Sequence, residues 1–454
     1  MAGEHFKVCV VGGGLAGLSV TKYLLELGLK DVIVLEASER VGGLLKSEDV
    51  SGYVFDTGGS HIMFSRNPEA VAEMTALLNG DVIHHRRNTK IYYKGRFVKY
   101  PFENGLKDLP PEERYECLKG VLDAYIARLT GRAKEPRNFL EWIKYVFGEA
   151  IASKYLIPYN KKIWKTSLDR ISLDWVGGRV PNPPLDDVIK AAVGLDVEGY
   201  RHQLNFCYPR EGGIEALAKS LARLIRVRGA VVRVNAPVTS VERLPRSNLI
   251  EVSSGEFTVK CKCVVYTSPL NRSRKILEPV LREKATLLNE LRTVSLAVVG
   301  VGARGPIQPY HWIYFPETTV PFHRVGILSN YSPANAPTDG STLIAEVSFK
   351  EDSTPPKVRI EREVLEGLEG VGLLKPSNVE VTETWFWRDA YILYDGRRRN
   401  VLSETLPLLR KAGIFPHGRF GSWEYLNMDA VLLRSRKLAE DIISYLNHPA
   451  RYHH

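Results

Sequence analysis

The stretch that decides the fold is residues 7–43, KVCVVGGGLAGLSVTKYLLELGLKDVIVLEASERVGG. An apolar run from Val8 to Val11 has the length of a buried strand, and glycines in the spacing G-x-G-x-x-G follow it at once. A helical pattern covers Leu15 to Leu27, and a second apolar run covers Val32 to Leu35. A strand, a glycine turn, a helix and a second strand in this order are typical of a dinucleotide-binding unit.

Each residue type in this stretch has a physical task. Gly12 permits the tight turn, Gly14 lets the backbone approach a pyrophosphate, and Gly17 lets the helix pack closely on the strand. The start of the helix offers free N–H groups and the positive end of its dipole to phosphates. Glu36 ends the second strand about 20 residues beyond the glycines, where a carboxylate accepts hydrogen bonds from ribose hydroxyls.

Two more glycine-rich segments follow, RVGG at 40–43 and DTGGSH at 56–61. A domain that binds only a nicotinamide dinucleotide has no need of these glycines, whereas a flat isoalloxazine ring can lie against such a backbone. The pattern therefore favours FAD as the cofactor. The alternative is an ordinary doubly wound nucleotide fold in which the glycines only serve turns.

Size and charge limit the function classes. The chain has 454 residues, of which 44% are hydrophobic and 25% charged, enough for a large core and two or three domains. A net charge of +10 can indicate binding to nucleic acid, to an anionic surface or to an anionic small substrate. Because the sequence has neither a run of five basic residues nor an aromatic–basic repeat, an anionic ligand is favoured over nucleic acid.

The cysteines predict neither disulfides nor a metal site. Of the five, only Cys261 and Cys263 are close together, and that spacing matches no disulfide framework and no zinc site. No basic region precedes the first apolar run, and no stretch of 18 apolar residues occurs. These features predict a cytoplasmic protein without membrane insertion, and they leave the oligomeric state open.

Further along the chain, residues 82–102 are predicted to form a short hairpin with Lys94-Gly95 as its turn. Helical spacing is found in three segments, Glu112–Leu129, Asn138–Phe147 and Ala150–Tyr155. An irregular segment rich in glycine and proline follows at Gly177–Pro184 and is predicted to be a mobile flap.

The second half of the chain returns to the nucleotide-binding domain. Residues 230–241 and 264–269 are predicted to be strands of that domain. Residues 292–350 alternate between apolar and polar, which predicts a second, antiparallel sheet. Residues 413–446 are predicted to form a strand, a glycine-bearing turn and a long amphipathic helix.

The predicted fold class is therefore α/β: a discontinuous Rossmann-like FAD-binding domain with a helical insertion and an antiparallel β-sheet substrate domain. The predicted order is FAD-binding domain (1–81), start of the sheet domain (82–104), helical insertion with mobile flap (105–205), FAD-binding domain (206–290), antiparallel sheet substrate domain (291–390) and C-terminal part of the FAD-binding domain (391–454). A substrate cleft is expected between the domains.

The N-terminal pattern resembles the superfamily of amine oxidases, protoporphyrinogen oxidases and UDP-galactopyranose mutases. The stretches at 312–333 and 418–429 resemble the eukaryotic-like branch of the mutases in particular. In all, four further stretches resemble the mutases. They are FVKYPFEN (97–104), YNKKIWKTSLDRISLDWVGGRVPN (159–182), WIYFPETTVPFHRVGILSNYSP (312–333) and GRFGSWEYLNMD (418–429). The resemblance covers about residues 7–445.

The resemblance implies a UDP-sugar as the substrate, held by arginines and aromatic side chains. The implied substrate-binding residues are Tyr100, Phe102, Asn160, Trp164, Arg179, Gln203, Trp312, Tyr314, Arg324, Tyr391, Arg419 and Tyr425. Two arginines from different segments, Arg324 and Arg419, can grip a pyrophosphate with charge-assisted forks. Taken singly, each aromatic residue could equally belong to the core, and each of these two arginines could form a structural ion pair.

The motif and the resemblance together imply the cofactor-binding residues and the catalytic ones. The predicted FAD-binding residues are Gly12, Gly14, Leu15, Ala16, Gly17, Glu36, Ala37, Gly42, Gly43, Leu44, Gly59, Ser60, His61, Val238, Ser268, Gly418, Asn427, Met428 and Asp429. The predicted catalytic residues are Arg324, Arg419, Arg179 and His61. His61 is expected to tune the flavin or its loop, with an ordinary hydrogen-bonded histidine as the alternative.

The resemblance implies a non-redox isomerisation that interconverts UDP-galactopyranose and UDP-galactofuranose. Reduced FAD would act through its N5 atom as the nucleophile at the anomeric carbon, and UDP would leave and return. NAD(P)H or another donor is expected to reduce the flavin first. The alternatives are an oxidase or desaturase of the protoporphyrinogen oxidase or amine oxidase type, and a non-catalytic flavin-bearing binding protein.

Overall fold

The computed structural model describes residues 4–177, 182–198, 204–245, 247–255, 257–351 and 353–448. The strands within these ranges are β1 (Glu4–Val11), β2 (Val32–Leu35), β3 (Ser47–Val50), β4 (Tyr53–Asp56), β5 (Val82–Arg86), β6 (Thr89–Tyr93), β7 (Arg96–Lys99), β8 (Asn205–Pro209), β9 (Val231–Arg233), β10 (Ser240–Arg243), β11 (Ile250–Ser254), β12 (Phe257–Tyr266), β13 (Thr293–Arg304), β14 (Trp312–Tyr314), β15 (Arg324–Ile327), β16 (Gly340–Lys350), β17 (Val379–Ile392) and β18 (Ile414–Pro416).

The α-helices of the described ranges are α1 (Leu15–Glu26), α2 (Pro68–Leu77), α3 (Pro111–Leu129), α4 (Phe139–Ile151), α5 (Ile157–Trp164), α6 (Leu185–Ala192), α7 (Glu215–Val227), α8 (Arg274–Leu281), α9 (Lys357–Gly370), α10 (Gly396–Lys411), α11 (Gly418–Gly421) and α12 (Met428–Asn447). None of these helices is long and apolar enough to cross a membrane, within the residues that the structure describes.

The first sheet carries the glycine motif. Strand β1 lies at its centre, parallel to β2 on one side and to β12 on the other. β9 extends the sheet beyond β2, and β18 runs parallel to the last residues of β12. β10 and β11 complete the sheet in antiparallel order. Its strands come from the start, the middle and the end of the chain, which confirms the predicted discontinuous α/β fold.

The apolar run of β1 is explained by burial on both faces. Val8 and Val10 belong to one hydrophobic cluster with residues of α1, α7 and α12. Cys9 and Val11 belong to a second cluster on the opposite face, with residues of α8 and α10. A parallel strand covered by helices on both sides is apolar at every position, whereas a strand with one exposed face alternates.

The second sheet has the order β17-β13-β16-β15-β14-β6-β7. Its pairs are antiparallel as predicted, except that β14 and β6 run parallel. The alternation expected over residues 292–350 does not give an exposed face, because β13 and β16 are buried almost throughout. Ala297 and Val299 pack in the cluster that includes Ile360 of α9, whereas Leu296 and Val298 pack toward the first sheet.

The hairpin predicted over residues 82–102 is shorter than expected. β6 and β7 form the hairpin around Lys94-Gly95, and both turn residues have positive φ, at 47° and 78°. β5 instead pairs antiparallel with β8, more than a hundred residues away in sequence. The local pattern identified strand-forming residues correctly, but it carried no information on the distant partner of β5.

The helical insertion has its own core. The predicted segments Asn138–Phe147 and Ala150–Tyr155 form one continuous run, in which α4 leads through a π-helical turn at Ala152–Leu156 into α5. Gly148 interrupts α4 with a φ of 72°, and a Cβ there would lie 2.2 Å from the Gly120 carbonyl oxygen of α3. The two helices therefore touch backbone to backbone at this point. Of the predicted flap at Gly177–Pro184, residues 178–181 lie outside the described residues.

Candidate functional site

A cavity of about 990 Å³ is lined by residues of both seven-stranded sheets. The predicted cofactor residues in its wall are Gly12, Gly14, Leu15, Ala16, Glu36, Ala37, Gly42, Gly43, Leu44, Ser60, His61, Val238, Ser268, Asn427, Met428 and Asp429. The predicted substrate residues in the same wall are Trp312, Tyr314, Arg324, Tyr391, Arg419 and Tyr425. Tertiary structure thus brings segments from the whole length of the chain into one space.

The start of α1 forms the part of this wall suited to phosphate. Gly12 has a φ of +105°, and Gly14 forms a parallel bridge with Gly42. Helix α1 has no side-chain cap and no acidic residue in its first turn. Its first N–H groups therefore lack an intrahelical partner and meet no competing carboxylate on the helix, the arrangement that favours a bound phosphate. On this observation the residues present fit a dinucleotide such as FAD.

Gly17 supports this turn from behind. A Cβ at Gly17 would lie 2.0 Å from the Gly12 carbonyl oxygen, far inside van der Waals contact. Gly17 does not line the cavity, and its role is the close approach of helix and strand that the motif predicted.

Glu36 already holds three hydrogen bonds in the turn. Its Oε2 accepts the backbone N–H of Gly13 at 2.7 Å, and its Oε1 accepts the N–H and the hydroxyl of Ser38 at 2.9 and 2.6 Å. The carboxylate also lines the cavity. Glu36 therefore stabilises the glycine turn itself, and its contact with ribose hydroxyls stays a prediction.

A second helix begins at the cavity. Asn427, Met428 and Asp429 at the start of α12 line the wall, and this helix also lacks a side-chain cap. The Asp429 carboxylate accepts a hydrogen bond of 2.6 Å from the hydroxyl of Ser65, which joins the helix to the segment after the DTGGSH loop. Asp429 already places one negative charge at the positive end of this helix dipole, beside the cavity.

His61 is held as a neutral imidazole. Burial, together with the positive charges of Arg419 and Arg324, lowers the pKa of His61 to about 4. Its Nδ1 lies 2.8 Å from the carbonyl oxygen of Gly59, which can only accept, so Nδ1 carries the proton. The Nε2 atom is then a hydrogen-bond acceptor, which is compatible with the predicted role beside the flavin.

Arg324 forms a two-pronged ion pair with Glu346. Its Nε and Nη2 donate to the two carboxylate oxygens at 2.8 Å each. The Glu346 side chain has no exposed surface, while 23% of the Arg324 side chain is exposed. Although burial alone would raise the pKa of Glu346, the charge of Arg324 holds it well below its usual range. The structural ion pair considered for Arg324 therefore exists, and the same arginine lines the cavity.

Arg419 forms no ion pair with any carboxylate in the described part of the chain. Its Nε and Nη2 donate to the Leu426 carbonyl oxygen at 3.2 and 2.8 Å. Its guanidinium lies 4.5 Å from the ring centroid of Tyr425. The charge of Arg419 is thus positioned by a carbonyl group and an aromatic face and is not neutralised, which suits an anionic ligand.

Tyrosines connect the two arginines. The rings of Tyr391 and Tyr425 are nearly parallel, with centroids 6.4 Å apart and an interplanar angle of 18°. The Tyr391 hydroxyl donates to Glu346 at 3.1 Å, and Tyr425 lies under Arg419. One side of the cavity is therefore a chain of contacts from Arg324 through Glu346, Tyr391 and Tyr425 to Arg419.

Four predicted substrate residues lie behind this wall. Phe102 has no exposed surface and stacks on Tyr155 at 5.1 Å, so it contacts no ligand in this conformation. Trp164 is 4% exposed and donates from Nε1 to Asn160 at 3.1 Å. Tyr100 packs against Tyr314 with centroids 5.0 Å apart. Phe102 and Trp164 are therefore core residues in the structure, which was the alternative considered for each aromatic residue.

Other predicted positions support the site indirectly or cannot be placed. Gly59 and Gly418 do not line the cavity, although both precede residues that do. A Cβ at Gly59 would lie 3.3 Å from the Glu346 carboxylate, and a Cβ at Gly418 would lie 2.5 Å from Ala16. Arg179 and Gln203 lie outside the described residues, so their roles stay predictions.

The sequence analysis missed several residues of the wall. Phe64, Arg66, Trp175 and Trp387 line the cavity, and Glu346 lies directly behind it. Glu346 carried a signal, because it is the one acidic residue in the otherwise apolar segment LIAEV of β16. A buried charge in a strand interior needs partners and often marks a site. No group of histidine, cysteine or acidic residues in the described ranges could hold a metal ion.

Comparison with known proteins identifies the family of the chain. The chain matches the family of flavin containing amine oxidoreductases over residues 15–420. It is 38% identical over 296 residues to flavin-containing amine oxidase A of Bos taurus, which covers 61% of this chain and 52% of that protein. It is 47% identical over 371 residues to a carotenoid 3,4-desaturase of Haloarcula japonica, which covers 70% of this chain and 67% of that protein. The chain spans about half the length of the curated amine oxidases it matches.

A crystal structure of reduced UDP-galactopyranose mutase superposes with a TM-score of 0.87 at 24% sequence identity and covers 98% of this chain and 97% of that chain. Because the family match covers residues 15–420, the chain belongs to the flavin containing amine oxidoreductase family. Within the superfamily it shares its fold with UDP-galactopyranose mutase along nearly its whole length. The fold class and the superfamily resemblance predicted from the sequence are confirmed.

Proposed function

We propose that the protein is an FAD-dependent isomerase that interconverts UDP-galactopyranose and UDP-galactofuranose. The observation that supports this most is the pairing of two arginines, Arg324 and Arg419, in the same wall as the flavin motif. A sugar nucleotide presents a pyrophosphate, and the remaining N–H groups of the two guanidinium groups can donate charge-assisted hydrogen bonds to phosphate oxygens. The full-length likeness to the fold of a reduced mutase is consistent with this assignment.

In this proposal the two arginines act on the leaving group. Arg324 uses Nε and Nη2 on Glu346, and its Nη1 has no hydrogen-bond partner within the described ranges. Arg419 keeps an unneutralised charge above Tyr425. Both groups would stabilise the negative charge of UDP as it separates from the sugar, and they need no reorganisation because they are held in place beforehand.

The remaining assignments follow from the same cavity. Reduced FAD would supply the nucleophile at the anomeric carbon of the sugar. The glycine turn at the start of α1 and the start of α12 would hold the phosphates and the ring system. Tyr314, Tyr391 and Tyr425 would offer flat, partly polar surfaces to the sugar and its phosphates. We propose NAD(P)H as the reductant of the flavin.

The proposed cellular location is the cytoplasm. All five cysteines are free thiols and none forms a disulfide. Buried unpaired cysteines persist in a reducing compartment.

The second candidate function is an oxidase or desaturase. It is favoured by the family and by the names of the curated relatives, an amine oxidase and a desaturase. The parallel pair of Tyr391 and Tyr425 also resembles the aromatic walls that such a substrate would use. Arg419 argues against an apolar or cationic substrate, because its charge has no carboxylate partner among the described residues and would be desolvated without one.

The decisive experiment reduces the purified protein with dithionite without air and adds UDP-galactofuranose. Formation of UDP-galactopyranose in the reduced sample alone supports the proposal. Absence of conversion, with UDP still raising the melting temperature, points to a related sugar nucleotide. Absence of conversion together with no effect of saturating UDP on melting or on flavin fluorescence rejects the proposal and favours the oxidase.

A further inference from the structure

Glu346 makes more contacts with the proposed site than any function assigned above requires. It lies in the middle of β16 and has no exposed surface. Besides the fork of Arg324, its Oε1 accepts the backbone N–H of Ser60 at 3.0 Å, and its Oε2 accepts the Tyr391 hydroxyl at 3.1 Å. His323 stands 3.6 Å away through Nε2.

These contacts join three parts of the cavity wall. Arg324 is the proposed pyrophosphate ligand, Tyr391 lies on the proposed sugar side, and Ser60 belongs to the loop that carries His61. Gly59 approaches so closely that a Cβ there would lie 3.3 Å from the carboxylate. The loop, the arginine and the tyrosine are therefore all held by the same buried carboxylate, that of Glu346.

An arginine side chain without such a partner would sample many rotamers and lose conformational entropy on binding an anion. The bidentate contact with Glu346 fixes the guanidinium plane before the ligand arrives. It leaves both N–H groups of Nη1 without a partner within the described ranges. Pre-organisation of this kind strengthens binding by lowering the cost of ordering the side chain.

We infer that Glu346 is a positioning residue for the substrate pyrophosphate: it acts through Arg324, whose orientation it sets, and it ties that arginine to the loop bearing His61. The inference rests on the proposed function, since it takes a UDP-sugar as the ligand of Arg324. Glu346 itself is buried behind Arg324 and touches neither the sugar nor the phosphates.

The test is a double-mutant cycle with UDP as the ligand. The dissociation constant is measured for the FAD-loaded wild type, Glu346→Gln, Arg324→Ala and the double variant, together with FAD content and melting temperature. Glutamine has the shape of glutamate, but its NH2 group would face an N–H donor of Arg324. The two-pronged contact is therefore lost. We expect Glu346→Gln to weaken UDP binding at least tenfold in the wild-type background and less than twofold in the Arg324→Ala background.

Two controls keep the result interpretable. Glu383→Gln removes another ion-paired glutamate of the same sheet, which contacts Lys357 away from the cavity, and should leave UDP binding unchanged. Arg324→Lys keeps the positive charge and the buried carboxylate but cannot span both carboxylate oxygens. We expect Arg324→Lys to bind UDP at least fivefold more weakly than the wild type at normal FAD content. If Arg324→Lys binds UDP with wild-type affinity, the inference is overturned even if Glu346→Gln fails to fold.

Two other outcomes of the cycle would overturn the inference while the proposed function stands. Equal weakening of UDP binding by Glu346→Gln in both backgrounds means that Glu346 only stabilises the fold. Tighter UDP binding by Glu346→Gln means that Glu346 competes with the substrate for Arg324. A wild-type protein that does not bind UDP rejects the proposed function, and the inference with it.

Discussion

Single residues set the charge of the cavity. Arg324 stays charged at every accessible pH, because the Glu346 carboxylate raises its pKa further although burial opposes this. Burial and the neighbouring arginines keep His61 neutral, with a pKa of about 4. Beside Arg324, which is paired with Glu346, and Arg419, an anionic ligand therefore meets an imidazole that adds no charge, so its binding should not depend on the protonation of His61 near neutral pH.

Arg419 gives the first prediction. Arg419→Ala removes the one of the two arginines that has no carboxylate partner among the described residues, so we expect UDP binding to weaken at least tenfold. FAD content should stay normal, because the flavin motif lies elsewhere in the wall. Titration calorimetry with UDP and the flavin absorbance of the purified variant measure the two quantities. Loss of FAD at unchanged UDP affinity would mean that the pocket is misplaced.

Glu36 gives the second prediction. Glu36→Ala removes the acceptor of the Gly13 and Ser38 hydrogen bonds as well as the proposed ribose contact. We expect the protein to purify with less than half of the wild-type FAD content and to regain it only at high added FAD. Glu48→Ala is a suitable control, because this partly exposed carboxylate also bonds side chains but does not line the cavity. Normal FAD content in Glu36→Ala contradicts the assignment.

At the scale of elements, the wall of the cavity is built where backbones touch. A Cβ at Gly17 would lie 2.0 Å from the Gly12 carbonyl, one at Gly58 would lie 2.1 Å from the Leu44 carbonyl, and one at Gly421 would lie 2.2 Å from the Tyr266 carbonyl. In each case a turn or helix passes a strand or loop at a distance that no side chain permits. These contacts let α1, the DTGGSH loop and α11 surround one narrow space.

Gly17→Ala tests this close packing. The added methyl group meets a backbone carbonyl that cannot move aside like a side chain, so we expect a loss of about 1–3 kcal/mol in the free energy of unfolding and impaired FAD binding. Gly370→Ala is the matched control, since Gly370 ends α9 with no heavy atom within 4 Å of the added Cβ. Thermal melting with and without added FAD measures the loss of stability and the loss of FAD binding. Wild-type melting in Gly17→Ala would falsify the packing argument.

At the scale of the whole molecule, buried histidines couple stability to pH. Burial lowers the pKa of His61, His311 and His417 to about 4 each, from an ordinary value of 6.5. Between these values the unfolded chain binds protons that the folded chain does not, so stability is present above pH 6.5 and is lost as the pH falls toward 4. Burial raises the pKa of Asp56 to about 6, which acts in the opposite sense but involves a single group.

We therefore expect the melting temperature to fall steadily from pH 7 to pH 4.5. His417→Gln isolates one contribution, because glutamine keeps a donor for the Ser435 hydroxyl, which lies 2.7 Å from Nε2, and does not titrate. The contribution of one such histidine is on the order of 2–3 kcal/mol. The difference in melting temperature between pH 7 and pH 4.5 should be smaller for His417→Gln than for the wild type. Parallel curves for the two proteins exclude His417 as a source of the pH dependence.

Local sequence pattern determined much of this protein. The run of glycines after Val11 predicted the turn at the start of α1, because a positive φ and a backbone contact each demand glycine at a particular position. The apolar runs of β1 and β2 predicted buried parallel strands, because a strand covered on both faces is apolar at every position. Since these requirements concern neighbouring residues, they leave a pattern in the chain itself.

Only the tertiary structure decided which distant segments meet. The pairing of β5 with β8, the burial of both faces of β13, and the core positions of Phe102 and Trp164 depend on partners far away in sequence. The fork between Arg324 and Glu346 is the clearest case, since it joins two neighbouring strands whose register no local pattern records. A glutamate in an apolar strand signals that a partner must exist, because a buried charge needs one, and the fold alone shows that the partner is the arginine of the proposed pyrophosphate site.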